Sequence, residues 1–501
     1  MHGLRAVFEA VGYDADGVLA AIGEAGQDDL RRNHTLAADR ALAGRTDPLA
    51  TLIRLFVLQQ WQPAESVDAA LPVEALAGAG VLAPLTGGYR AMVDVRPVSD
   101  ETDGLAGWVV SDHAADLDTA NRPPAPDHVL GVSPASISLA GITPRRPVGR
   151  ALDLGTGSGI QSLHLARHAD AVVATDVNQR ALHLARMTFA LNGVVVDTRA
   201  GSLYTPVEGE GYDLIVANPP FVISPHIGER LMYRETGHTG DDLMRAVVAG
   251  AGPRLNPGGS LHVVGNWAHV RGTSVQDRLA AWVPPDCDAY IVQRELLDVC
   301  AYTEVWLADA GLAGTPTYRD TAGAWLDYFD ALGIEAVGLG WITMVKRDAG
   351  SGGSAERSHR VAEDWPYPVT DPVADDLMAH LAARTYADWD DAHLLATRWR
   401  LAEAVQETTA HPGTGEVEHV VLRRTTGLNR AIEVDAGLGG VLGACDGDLT
   451  LGQITGAVAR LLGVGEEDLR ASVLPRLREL IAQTWLTPVA RFAGFPDPGL
   501  W

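Results

Sequence analysis

Short apolar runs alternate with stretches of helical period from about residue 127 to 348. Runs at 150–155, 172–177, 195–200, 212–217, 260–266, 288–293 and 338–346 predict seven strands. Strands separated by helical patterns signal a parallel α/β sheet, here one doubly wound sheet. Upstream, Asp47-Pro48 gives an N-cap and a first helical position, followed by Leu49, Leu52, Ile53 and Phe56 at helical spacing. Residues 73–82 predict another short helix, and 89–95 and 108–110 predict two strands. Near the carboxyl end, Leu451, Ile454, Val458, Leu461 and Leu462 mark one amphipathic helix, and Leu469, Val473, Leu477, Leu480 and Ile481 the next.

The pattern divides the chain into an N-terminal part (1–126), a central α/β part (127–348) and a C-terminal α+β part (349–501). Arg122-Pro123-Pro124-Ala125-Pro126 and Gly350-Ser351-Gly352-Gly353-Ser354 are the expected linkers, although His359-Arg360-Val361 could pair back on the last strand. The N-terminal order of helices and hairpin resembles a winged helix. Its recognition-position segment, Val73-Glu74-Ala75-Leu76-Ala77-Gly78, carries no Lys or Arg, whereas a DNA-reading helix needs donors for phosphates and base edges. A docking or substrate-covering part is therefore expected. Asp446-Gly447-Asp448 lacks the other ligands of a calcium loop and reads as a solvated turn.

Composition narrows the partners. The 501-residue chain has a formal net charge of −25 and a single lysine, Lys346. That field disfavours nucleic-acid phosphates unless a local basic groove exists. Cys287, Cys300 and Cys445 have no metal-type spacing, so a reduced setting is expected. Glu9 and Asp14 follow Met1 too soon for a signal peptide, and no apolar run reaches the length of a membrane span. The expectation is a cytoplasmic protein with no membrane partner.

Two segments carry chemistry. Arg150-Ala151-Leu152-Asp153-Leu154-Gly155-Thr156-Gly157-Ser158-Gly159 runs from a strand through a glycine-rich turn towards a helix. Its Gly-x-Gly-x-Gly spacing is neither the dinucleotide fingerprint nor a P-loop. Asp176 ends the next strand, where a carboxylate can accept both hydroxyls of a ribose. Asp153, on the first strand, can meet an ammonium group through water or backbone. A ligand with a ribose and an amino acid but no pyrophosphate is implied, and S-adenosylmethionine fits. The second segment is Asn218-Pro219-Pro220-Phe221, closing the run Tyr212-Asp213-Leu214-Ile215-Val216-Ala217. The Asn218 side-chain carbonyl and the Pro219 carbonyl can each accept a hydrogen from a planar NH2 group. Pro220 fixes the backbone, and the Phe221 ring can lie flat on the group that carries the nitrogen.

These motifs resemble the class I S-adenosylmethionine-dependent methyltransferases, within the HemK/PrmC-like and small-domain N-methyltransferases. Leu152 to Gly159 matches the first motif of that family, Ala174-Thr175-Asp176-Val177-Asn178 the second, and Asn218 to Phe221 the catalytic motif. Leu255-Asn256-Pro257-Gly258-Gly259 matches the turn into the fifth strand. The resemblance covers about 127–270 and implies a Rossmann-like fold. It implies cofactor binding by Asp153, Gly155, Thr156, Gly157, Gly159, Asp176, Val177, Ser202, Leu203 and Asn218. It also implies that residues 128–136 cover the cofactor. Where relatives often place an Asp for the adenine amino group, this chain has Gly201-Ser202-Leu203; where glutamine methyltransferases usually carry Tyr, it has Phe221. The expected reaction is N-methylation of a planar amide or exocyclic amine, in a protein glutamine or a nucleic-acid base, with no metal. The alternatives are a small-molecule methyltransferase and a non-catalytic, cofactor-sensing regulatory protein. Residues 222–242, rich in His, Arg and Gly, read as a substrate-selecting loop; His226 and His238 lack the partners of a metal site, and Asp241-Asp242 suits a helix start.

Overall fold

The computed structural model describes residues 2–114, 117–118, 125–225, 238–348, 358–370, 373–410 and 417–489. Residues 122–124 and 350–354 of the expected linkers lie outside the described residues. The chain divides into two compact units, one of Met1–Ala140, Pro147–Arg278 and Leu296–Gly340, the other of Gly141–Arg146, Leu279–Glu295 and Trp341–Trp501.

The largest sheet has eight strands: β1 (Val148–Leu154), β2 (Ala169–Asp176), β3 (Asp197–Ala200), β4 (Tyr212–Ala217), β5 (Leu255–Val270), β6 (Cys287–Asp298), β7 (Ile334–Lys346) and β8 (Arg360–Asp364). Their order is β8-β6-β7-β5-β4-β1-β2-β3. β1 runs parallel to both β2 and β4, β2 parallel to β3, and β4 parallel to β5. The seven predicted strands are all present. The eighth, β8, is not among them, and it differs from the alternative in which residues 359–361 pair back on the last strand. β8 instead runs parallel to β6. The Asp288 carboxylate accepts from the His359 backbone N–H, and the Arg360 guanidinium donates to the carbonyls of Ala280 and Pro284, which fixes that register.

Ala151, Leu152, Asp153 and Leu154 of β1 and Leu214 to Ala217 of β4 are all buried, as in a strand covered on both faces. The chain leaves β1 for β2 and β3, then returns to β4 on the other side of β1. The crevice at the carboxyl ends of β1 and β4 is the switch point where open α/β sheets bind ligands. Helix α1 (Ile160–Leu165) follows β1, and α2 (Gln179–Asn192) follows β2. The Asn178 side chain caps α2 by accepting from the Arg180 N–H, and Gly193, at φ +68°, ends it.

The N-terminal elements share a hydrophobic core with α2, through Ala181, Leu184, Met187 and Leu191. The Asn192 side chain accepts from the Trp108 N–H and donates to its carbonyl, and Thr188 Oγ1 accepts from the Val110 N–H. Asp47 caps Pro48–Leu52 as expected. Strand Gln62–Pro63, helices Ala64–Ala70 and Val73–Gly78, and strands Leu82–Leu85 and Gly88–Ala91 follow. Gly88–Ala91 lies centrally in a three-stranded sheet. Two predicted boundaries move. The helix from Val73 stops at Gly78 because Gly80, at φ +72°, turns the chain into a strand. The run 89–95 is two strands, since Met92 N–H bonds Val81 and Asp94–Asp100 pairs instead with Leu105–Ser111.

In the other unit the two predicted amphipathic helices are Leu451–Leu462, opened by a Thr450/Gln453 capping box, and Glu466–Ala482. Asp446-Gly447-Asp448 is not a free turn but part of strand Asp446–Thr450, paired with Arg398–Leu401. Among the described residues, no helix is long and apolar enough to cross a membrane.

Candidate active site

The turn after β1 is tied to β2, because the N–H groups of Gly155 and Thr156 both donate to the Thr175 carbonyl at 2.9 Å. Gly159 has φ +88°, and a Cβ there would lie 2.7 Å from the Phe189 ring. Only glycine permits both the left-handed backbone and α2 at that distance. This turn opens onto a cavity of about 510 Å³.

Asp153 stands at the base of the turn, 1% exposed. One of its oxygens accepts from the hydroxyls of Thr156 and Ser162, each at 2.7 Å. Burial pushes its pKa up to about 6, against the pull of those two hydroxyls, and nearby Asp176 adds to the rise. Asp176, at the end of β2, accepts from the Gly157 N–H at 3.0 Å and from the Asn178 N–H at 2.8 Å. Burial raises its pKa too, while those backbone donors hold it back. Each Asp176 oxygen keeps lone-pair capacity for a ligand hydroxyl. Beside it, Leu203 holds φ +49°, an uncommon conformation for a residue with a Cβ.

The structure brings nearly all of the sequence-predicted residues to this one cavity. Asp153, Gly155, Thr156 and Gly157 line it from β1, Asp176 and Val177 from β2, Ser202 and Leu203 after β3, and Asn218, Pro219 and Pro220 after β4. Gly159 and Phe221 are not in the wall. Gly159 serves the packing against Phe189, and the Phe221 ring meets Trp306 edge-on, with centroids 6.1 Å apart at 68°.

Residues from 128 to 136 form another side of the wall. Three ties hold them there. The Asn178 side chain donates to the Asp127 carbonyl at 2.8 Å. Asp112 exchanges hydrogen bonds with the Val129 backbone while the Arg180 guanidinium grips its carboxylate. Gln161, 4% exposed, donates to the Ser136 carbonyl at 2.7 Å. Gln161, Leu243 and Val247 also line the cavity, and no local pattern in the sequence marks them.

Asp241 does stand at the start of helix α3 (Asp242–Ala251), but its side chain does not cap it. Its carboxylate accepts instead from the Ala268 N–H and from Arg278, at 2.7–2.9 Å. His238 lines the cavity, whereas His226 and the rest of residues 226–237 lie outside the described residues. Among the described residues, one cluster has the spacing of metal ligands, Asp100, Asp103 and His164, and none of the three lines this cavity. All three cysteines are free thiols.

A parallel sheet with a ligand crevice at its switch point, a glycine turn and a carboxylate after β2 defines a Rossmann-like nucleoside-binding domain. Residues 132–279 match the methyltransferase small domain family, and residues 10–92 match a family described as a domain of unknown function (DUF7059). Residues 132–279 are thus a methyltransferase domain, of the class that takes S-adenosylmethionine as methyl donor. Ribosomal RNA small subunit methyltransferase C of Escherichia coli K12 is 34% identical over 134 residues, which are 26% of this chain and 35% of that relative. The chain thus matches about a third of that relative's length. Among solved structures, the 16S rRNA N2 G1207 methyltransferase of T. thermophilus, in complex with AdoMet and guanosine, has a TM-score of 0.29 and 17% identity, covering 57% of this chain and 63% of that one. Ribosomal protein L11 methylase of Lactobacillus delbrueckii has a TM-score of 0.25 and 18% identity, covering 44% and 82%.

Proposed function

We propose that this protein transfers a methyl group from S-adenosylmethionine to an exocyclic amine of a nucleic-acid base. The observation that carries the reading is that Asn218, Pro219 and Pro220 share one cavity wall with Asp153, the glycine turn and Asp176. An acceptor for a planar NH2 group and a cradle for a nucleoside with an amino-acid tail are thereby neighbours.

The residues present suit the cofactor. Asp176 would accept the ribose hydroxyls, Val177, Ser202 and Leu203 would flank and bond the adenine, and Asp153 with Gly155, Thr156 and Gly157 would hold the methionine end. Bound there, S-adenosylmethionine supplies a methyl group already activated on a sulfonium. The protein's contribution is alignment, which can supply on the order of 7–11 kcal/mol. The Asn218 side-chain carbonyl and the Pro219 carbonyl would accept the two hydrogens of the acceptor nitrogen. That favours a pyramidal nitrogen with its lone pair aimed at the methyl carbon, and it stabilises the positive charge developing there. The carbonyls only orient the nitrogen; once methylated, it is a strong acid and gives up its extra proton to solvent water.

A base is preferred to protein glutamine on two grounds. Phe221 stands where glutamine methyltransferases usually carry Tyr, and the relatives matched over this domain include one named for ribosomal RNA. The N-terminal elements, with Glu74 and no Lys or Arg on helix Val73–Gly78, are read as a winged-helix-like platform packed on α2 rather than as a base reader. The three-part division at 126 and 348 and membership of the HemK/PrmC-like branch belong to the same proposal. Incubation of the purified protein with methyl-labelled cofactor and separate RNA, protein and small-molecule fractions tests it. Label in an N-methylated nucleoside is expected; label confined to protein or small molecules refutes it.

A further inference from the structure

Pro219 and Pro220 have no N–H, so the middle of the acceptor turn offers no backbone donor to pin it. Its anchorage falls on the residues that follow. Two helices between β6 and β7 provide it, α4 (Val299–Asp309) and α5 (Tyr318–Ala331). On α4, Tyr302 is fully buried, and its hydroxyl accepts from the Ile223 N–H at 2.9 Å and from the Asn266 side chain on β5 at 2.7 Å. Its ring is locked among Trp306, Trp325 and Phe329, with centroids 6.0–6.5 Å away. One turn further along, Trp306 holds the Phe221 ring edge-on. From α5, the Tyr328 hydroxyl accepts from the Gly240 N–H at 2.9 Å, at the other end of the stretch that follows the tetrapeptide.

We infer that Tyr302 is a positioning residue for the acceptor turn, setting the direction of the Asn218 and Pro219 carbonyls through its bond to Ile223. Tyr302 lies outside the cavity wall. Removing its hydroxyl leaves two buried donors unsatisfied and lets the turn relax, while Asp153, the glycine turn and Asp176 keep their own bonds. Misplacement of acceptors by a fraction of an ångström lowers the rate of transfer without changing cofactor affinity. The inference rests on the methyltransfer reading above.

The test compares Tyr302→Phe with Tyr13→Phe. Tyr13 is equally buried, its hydroxyl donates to the Val95 carbonyl at 2.6 Å, and it lies outside the cavity wall. Both variants lose one buried hydroxyl, so both are expected to melt lower. At saturating cofactor, which favours the folded state, Tyr302→Phe is expected to lose about tenfold or more in kcat with an unchanged dissociation constant for S-adenosylmethionine. Tyr13→Phe is expected to keep wild-type kcat. Trp306→Phe, testing the other arm of the same support, is expected to show the same split at smaller size. Wild-type kcat in Tyr302→Phe overturns the inference whatever Trp306→Phe shows, as does a loss of cofactor affinity in step with kcat. A wild-type protein that transfers no methyl group would refute the methyltransfer reading instead.

Discussion

Asp153→Asn is the substitution that most sharply separates stability from function in this protein. The wild-type carboxyl is 1% exposed, and burial lifts its pKa from 3.8 to about 6. A folded-state value above the unfolded one means that the folded protein binds the proton more tightly. The group's contribution to stability is therefore complete below pH 4 and is lost as pH rises through about 6. At 1.36 kcal/mol per unit, a rise of roughly 2 units makes the ionised buried carboxylate cost about 3 kcal/mol at neutral pH. Asparagine keeps an oxygen for the Thr156 and Ser162 hydroxyls and carries no charge. The cofactor-free variant should then melt several degrees above wild type at pH 7.5, at about 2–4 °C per kcal/mol, and the gap should fall to about half by pH 5 and close only below about pH 4. On the proposed role of Asp153 at the cofactor's ammonium group, which calls for the charge, the variant should lose about tenfold or more in affinity for S-adenosylmethionine. Wild-type affinity should itself weaken below pH 6. Scanning calorimetry without cofactor and titration calorimetry with it, from pH 4 to 8, measure both. A variant less stable than wild type at pH 7.5, or one that binds the cofactor as tightly, would refute the reasoning.

Other sites give equally direct expectations. Gly159→Ala forces a Cβ to 2.7 Å from the Phe189 ring at φ +88° and should destabilise the domain by about 2 kcal/mol or more, read as a lower melting temperature; an unchanged midpoint would contradict the packing argument. Asp112→Ala frees Arg180 and removes the carboxylate that accepts from the Val129 N–H, keeping only the backbone bond to the Val129 carbonyl, so the cofactor dissociation constant should rise several-fold as residues 128–136 loosen, with kcat at saturation unaffected. Equal affinity in that variant would mean that these ties do not shape the cavity.

Much of the sheet and one half of the site are legible in the sequence because both are local. β1 and β4 are unbroken apolar runs, each ending in its own motif, and the glycine spacing is set by one turn. The residues missed are those whose roles depend on distant partners. Gln161 reaches Ser136 and Asn178 reaches Asp127, so the cavity's far wall is built from pairings that no window along the chain contains. The support of the acceptor turn by Tyr302 spans 79 positions. Phe221, expected against the substrate, instead meets a tryptophan on a helix whose packing has no signature near the motif. β8 was legible as a pairing segment but not as a neighbour of β6, because its register is fixed by Asp288 and by two carbonyls that Arg360 finds.

In the proposed mechanism Asn218 presents an exocyclic amine of a nucleic-acid base to the cofactor's methyl group. Its most direct test is transfer of labelled methyl from S-adenosylmethionine to RNA purified from cells that lack this protein, followed by digestion to nucleosides and comparison with Asn218→Ala. Label in one N-methylated nucleoside, reduced on the order of a hundredfold in the variant, is the predicted result. Full transfer by Asn218→Ala, or label that never enters an RNA base, would contradict it.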